Sequence, residues 1–154
     1  MSSISEWTVR VYAMPLHKNY VLALKEKIGP FEIVKFAGGG VNHGEGVLNA
    51  LQRELKEELG IETTTDWELI YVNHFFVPSA FKQHKEVLAI YYSFPCNEET
   101  INKLKPVEIG NYHEVLNKQT QLFLVPLKPE MVEIFMIPTD RMAFIHLLKK
   151  VRQE

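Results

Sequence analysis

Three glutamates, Glu54, Glu57 and Glu58, stand at positions i, i+3 and i+4. On an α-helix that spacing confines their carboxylates to an arc of roughly 100°. Leu48, Leu51, Leu55 and Leu59 recur at three- and four-residue intervals through the same segment, so the helix is amphipathic, with an apolar stripe on one face and acids on another. Like charges on adjacent turns repel, each i,i+4 acidic pair costing roughly a few tenths of a kcal/mol, and something cationic should compensate. Arg53 and Lys56 offset part of the charge. Carboxylate oxygens gathered beside a loop are what a hard cation such as Mg²⁺ or Mn²⁺ requires, and metal binding is the economical reading.

The elements that must position these acids are legible on either side. A strand-like run, Phe31 to Phe36, leads into the triplet Gly38, Gly39 and Gly40, and Gly44 and Gly46 follow. Glycines permit positive φ and close backbone approach, so a loop here can present amide groups and Glu45 to an anionic ligand near the helix start. Gly60 is placed to end the helix in the left-handed conformation. The layout is strand, glycine loop, acidic helix, stop.

Between Gly39 and Ile61 the chain reads G-x5-E-x7-R-E-U-x-E-E-x-G-U, with U aliphatic, a pattern expected by chance in on the order of one chain in ten million of this length. The segment resembles the Nudix box of the Nudix hydrolases, with every specified position filled. The resemblance covers 23 of 154 residues and implies an α/β/α sandwich with a mixed β-sheet, and divalent-metal-dependent hydrolysis of a nucleoside diphosphate linked to another moiety. Carried over position by position, it makes Glu54, Glu57 and Glu58 catalytic metal ligands. It gives Glu45 and Arg53 a supporting role, pairing across the loop-helix junction if the loop folds back along the helix. Gly39 and Gly40 are expected against the substrate. Two positions depart from the family pattern: Ala37 stands where proline is usual and Val34 where tryptophan is common.

Length and composition suit one domain spanning residues 1–154, with 46% hydrophobic and 23% charged residues and enough chain for a sizeable core. The N-terminal MSSISEWTV lacks a basic stretch followed by an apolar one, and no apolar run reaches membrane-spanning length. A lone Cys96 excludes an intrachain disulfide and a thiolate zinc cluster, which fits a reducing compartment. A cytoplasmic location is expected, with no membrane partner. A net charge of −2 argues against a broad basic surface for nucleic-acid polymers. A small phosphorylated molecule needs only a local cationic patch, and a homodimer is left open.

Strands are expected at Thr8 to Met14, Tyr20 to Lys25, Phe31 to Phe36, Glu68 to Val77, Val87 to Phe94 and Leu122 to Val125, each rich in β-branched or aromatic residues. A second helix is expected from Thr139 or Asp140, either a plausible N-cap, toward Val151. The run FLVPLKPEMVEIF resembles the family segment in which a strand ends in V-P-L and a short helix follows. Among the later acids Glu86, Glu98, Glu99, Glu108 and Glu114, the resemblance favours Glu114 as an extra metal ligand, since the family's additional acid often precedes that segment. Between two strands, PSAFKQHK offers Phe81 for base stacking and Lys82, His84 and Lys85 for phosphate. Phe75, Phe76, Tyr91 and Tyr92 read as sheet core. Pro78 lies near, but not at, the position where adenosine diphosphate ribose-cleaving members carry proline, so the substrate subclass stays open. The rival reading is a catalytically silent nucleotide-sensing module of the same fold. Its signature, loss of box acids, is not present.

Overall fold

The computed structural model describes residues 3–62, 66–80, 82–111, 113–114 and 121–153. Among these, eight strands form one mixed sheet: β1 (Glu6–His17), β2 (Tyr20–Ile28), β3 (Phe31–Lys35), β4 (Ala37–Gly40), β5 (Glu68–Val72), β6 (Lys85–Pro95), β7 (Val107–Glu108) and β8 (Leu122–Pro126). The central path runs β5-β6-β1-β2-β8-β7, with β3 joined to β2 and β4 to β1. Parallel pairing of β1 with β6 extends from Glu6↔Lys85 to Leu16↔Pro95. By contrast β1 and β2 pair only beside their hairpin, at Leu16↔Val21 and His17↔Tyr20, after which each takes another partner, β4 and β3 respectively.

Alternation along β1 builds two cores. Tyr12 and Met14 face a cluster with Phe36, Tyr91, Phe123, Phe135 and Phe144, which joins the sheet to the 3-10 turn Pro129–Ile134 and to the C-terminal helix α3 (Pro138–Gln153). Val11 and Ala13 face the opposite way, onto Ala50, Leu51 and Leu55 of α1 (Val47–Leu59) and Ile101 of α2 (Glu98–Leu104). This two-residue period is what a sheet buried on both faces demands. The mixed sheet between helices agrees with the expected fold. None of the helices among the described residues is long and apolar enough to cross a membrane.

Several expectations change. The glycine triplet is not a turn: Ala37–Gly40 is a strand, registered against β1 from Ala13↔Ala37 to Arg10↔Gly40. The strand expected over Glu68 to Val77 ends at Val72, where the buried Asn73 side chain substitutes for backbone pairing. Its Nδ2 donates to the Val87 carbonyl at 3.0 Å and its Oδ1 accepts from the Ala89 N–H at 2.8 Å. Phe75 and Phe76 follow that break and are exposed, so the core reading holds for Tyr91 but not for them. Helix α3 starts at Pro138, and Thr139 and Asp140 are buried in its first turn rather than capping it. Helix α2 was not among the expected elements; Asn97 caps it, accepting from the Thr100 N–H at 2.8 Å.

Candidate active site

Helix α1 buries Ala50, Leu51 and Leu55 and carries its acids on the face turned from that stripe. It stops at Gly60, whose φ of 65° lets its N–H reach the carbonyls of Leu55 and Lys56. Strand β4 crosses above the acids, and its two central glycines have different duties. A Cβ on Gly38 would lie 2.8 Å from Tyr12 Cα and closer still to the Val11 carbonyl, at a φ of 153°; this glycine lets β4 lie against β1. A Cβ on Gly39 would lie 2.6 Å from Glu54 Cδ. Gly39 is therefore the bare patch on which the Glu54 carboxylate rests.

Arg53 fixes that carboxylate from the other side. Its Nη1 donates to Glu54 Oε1 at 3.0 Å and lies 3.5 Å from Glu57 Oε2. Its Nη2 donates to the Gly40 carbonyl at 3.0 Å and to Glu45 Oε1 at 2.7 Å, while Nε donates to Glu45 Oε2 at 3.2 Å. The fork is the bidentate geometry that a guanidinium offers a carboxylate, so the loop does fold back along the helix as the spacing requires. Glu45 also accepts from the Asn42 N–H at 2.8 Å. The Arg53 hydrogen bonds, and secondarily this amide, hold its carboxyl below the usual range.

Glu54 is largely enclosed, with 14% side-chain exposure, whereas Glu57 is open at 58%. Glu58 is exposed as a residue, yet its carboxyl end is partly enclosed. That desolvation pushes its pKa up to about 7, helped by a hydrogen bond with Glu54 and the charges of Glu54 and Glu26, while Lys35 pulls it back. Lys35 is buried on β3 with its Nζ 3.0 Å from Glu26 Oε2. Spacing gives no reason to single it out, although a lysine inside the apolar run Ile33-Val34-Lys35-Phe36 was the available signal.

Among the described residues, no three His, Cys, Asp or Glu side chains converge on one point as a ready-made metal centre. Glu54 and Glu57 lean toward Arg53 while Glu58 lies toward Lys35 and Glu54. The donor set is nonetheless all oxygen, one member is cradled by Gly39, and another, Glu57, is largely open to solvent. These residues fit a hard divalent cation by chemistry, without being gathered around it. Glu114 is bound into its own turn, its Oε2 accepting from the Gly110 N–H at 3.2 Å. Lys82 is exposed on the turn before β6, and Phe81 lies outside the described residues.

A mixed sheet between helices, with an acidic helix clasped under a glycine strand by one arginine, defines an α/β protein with an acidic face. The sequence model of the NUDIX domain matches residues 6–134, and the chain belongs to that family. Family members generally use divalent metal ions and act on small nucleotide derivatives. The chain is 41% identical over 58 residues to Nudix hydrolase 2 of Arabidopsis thaliana, a match covering 36% of this chain and 21% of that protein. It thus spans about a fifth of the curated relative it matches. In fold it is similar to the E. coli ORF135 protein, with a TM-score of 0.69 and 18% identity over 97% of this chain and 94% of that one. It is also similar to a NUDIX hydrolase from Nitrosomonas europaea, with a TM-score of 0.64 and 14% identity over 94% and 90% of the two chains.

Proposed function

We propose that this chain is a Mg²⁺- or Mn²⁺-dependent pyrophosphohydrolase. Its substrate is a nucleoside diphosphate linked to another moiety, such as a nucleoside triphosphate, a nucleotide sugar or an ADP-ribose-like compound. The observation that carries the reading is the charge left over around the Arg53 clasp. Arg53 and Lys35 together face Glu26, Glu45, Glu54, Glu57 and Glu58. Neither cation is used up on a single acid, so the face keeps a negative excess that a divalent ion can satisfy.

Each side chain then has a defined part. Arg53 holds the Glu45 loop against the helix and keeps Glu54 aimed past Gly39. Glu54, Glu57 and Glu58 would hold the cation, and the solvent-exposed Glu57 is the ligand able to complete the set. Glu114, which the family resemblance offers as a further ligand, would first have to leave its Gly110 hydrogen bond. A divalent cation held there supplies neutralisation of phosphoanhydride charge and Lewis acidity. The buried Cys96 thiol, pushed up to about 11 by burial, is inert at neutral pH and suits a cytoplasmic setting. The test is a panel of nucleoside diphosphate derivatives with Mg²⁺ or Mn²⁺, scored by phosphate release after phosphatase coupling. Metal-dependent turnover of at least one compound is expected, and no turnover across the panel would refute the reading.

A further inference from the structure

A cavity of about 560 Å³ lies between the N-terminal half of β1, the 40–47 loop and the turn before β6, within the size range of small-ligand sites. The three box acids of α1 do not line it. Its floor includes Gly40 and Glu45, the loop groups that Arg53 grips, so the cavity adjoins the acidic face. Its walls carry Trp7, Arg10, His43, Ser79, Lys82 and Lys85.

Charge and shape point the same way. The Glu45 carboxylate is already taken by Arg53, and Lys85 shares Glu6 at 3.3 Å, which leaves the walls cationic and suited to an anion. Trp7 is 62% exposed, although it sits on a central strand paired with Glu86 of β6. An indole left this open beside lysines offers a stacking surface for an aromatic ring. The turn opposite is anchored, not loose. Ser79 Oγ accepts from the Lys82 N–H at 3.0 Å, the Ser79 N–H donates to the Lys85 carbonyl at 2.9 Å, and Pro78 bridges Glu86. The backbone of Lys82 is thereby held at the cavity that Trp7 also lines.

We propose that this cavity binds the nucleoside monophosphate part of the substrate, with the base stacked on Trp7 and the phosphate facing Lys82 and Arg10. The assignment rests on the hydrolase reading above and names its specificity site. The test uses AMP and UMP with the full chain in EDTA, so that binding is read without turnover. Intrinsic fluorescence should be quenched in Trp67→Phe, where Trp7 is the remaining indole. Trp7→Ala should weaken binding by about tenfold or more, Trp7→Phe should recover most of the loss, and Lys82→Glu should weaken both nucleotides. No binding of either nucleotide, unchanged affinity in Trp7→Ala, or quenching that follows Trp67 would overturn the proposal. Nucleotide binding through Trp7 without turnover of any panel compound would refute the hydrolase reading and leave the cavity assignment standing. Turnover indifferent to Trp7→Ala would do the reverse.

Discussion

Two carboxyls in this molecule have pKa values pushed up to about 7 by burial, and they do opposite things. Glu58 lies on the open face of α1, hydrogen-bonded to a second carboxylate and steadied by Lys35. Asp140 is wholly buried across the sheet, where Tyr91 donates to its Oδ1 while Oδ2 has no partner. The Tyr91 hydrogen bond and the charges of Lys35 and Arg10 lower the pKa of Asp140 somewhat, and that of Tyr91 in turn is raised by burial first and the Asp140 charge second. The lesson is that a perturbed carboxyl marks a site only when ligand can reach it and other donors face the same space. Asp140 is a buried structural acid that links α3 to β6. Glu58 belongs to a face that can change partners.

The largest effect expected from this contrast is on the acidic face. Glu57→Gln preserves shape but removes an anionic ligand, so activity should fall by orders of magnitude while circular dichroism stays native. Full activity in that variant would erase the distinction between the two regions. Next comes Arg53→Ala, which frees the Glu45 loop and lets Glu54 drift. A loss of roughly 10- to 100-fold in kcat/KM is expected for a residue that orients ligands, together with about 2 kcal/mol of stability from the severed charged hydrogen bonds. A stability loss without any kinetic loss would make Arg53 a purely structural clasp.

The glycines sharpen the same division on a smaller scale. Gly38→Ala should cost on the order of 1–3 kcal/mol or more, since its Cβ meets the backbone of β1 and cannot be relieved by a side-chain rotation. Gly39→Ala should melt close to wild type but lose activity, because its Cβ displaces only the Glu54 carboxylate. Thermal melts and rates measured on both variants check this, and equal behaviour of the two would contradict it.

The buried acid gives the mildest signal, in pH dependence. The folded pKa of Asp140 lies near 7, above its value of 3.8 when unfolded. The folded state therefore binds the proton more tightly, and the stabilisation is fully present below about 4 and lost as pH rises through 7. Asp140→Asn should flatten that part of a plot of melting temperature against pH. An unchanged slope would show that other groups set it.

How much of this was readable in advance follows from the range of the interactions. The acidic helix and its Gly60 stop depend on residues within one short segment, and local spacing carries them; the Glu45–Arg53 pairing lies in the same segment but was expected from the family resemblance. Strand β4 does not, because three glycines have poor strand propensity and pair only because β1, some thirty residues earlier in the chain, supplies the edge. Thr139 and Asp140 have the residue types of a helix cap, and only the Tyr91 hydroxyl, 49 positions away, makes Asp140 a core residue. Asn73 ends β5 by a bond to Val87 that no window around position 73 contains. Lys35 and Trp7 drew no notice in the sequence, because the burial of the one and the exposure of the other are set by neighbours from elsewhere in the fold.

The central claim, that the α1 face accepts a divalent cation while the equally perturbed acid across the sheet does not, is tested most directly by calorimetric titration of Mn²⁺ into three proteins. The unaltered chain and Asp140→Asn should bind with the same affinity, and Glu57→Gln should bind far more weakly. Unchanged affinity in Glu57→Gln, or a loss confined to Asp140→Asn, would contradict the account.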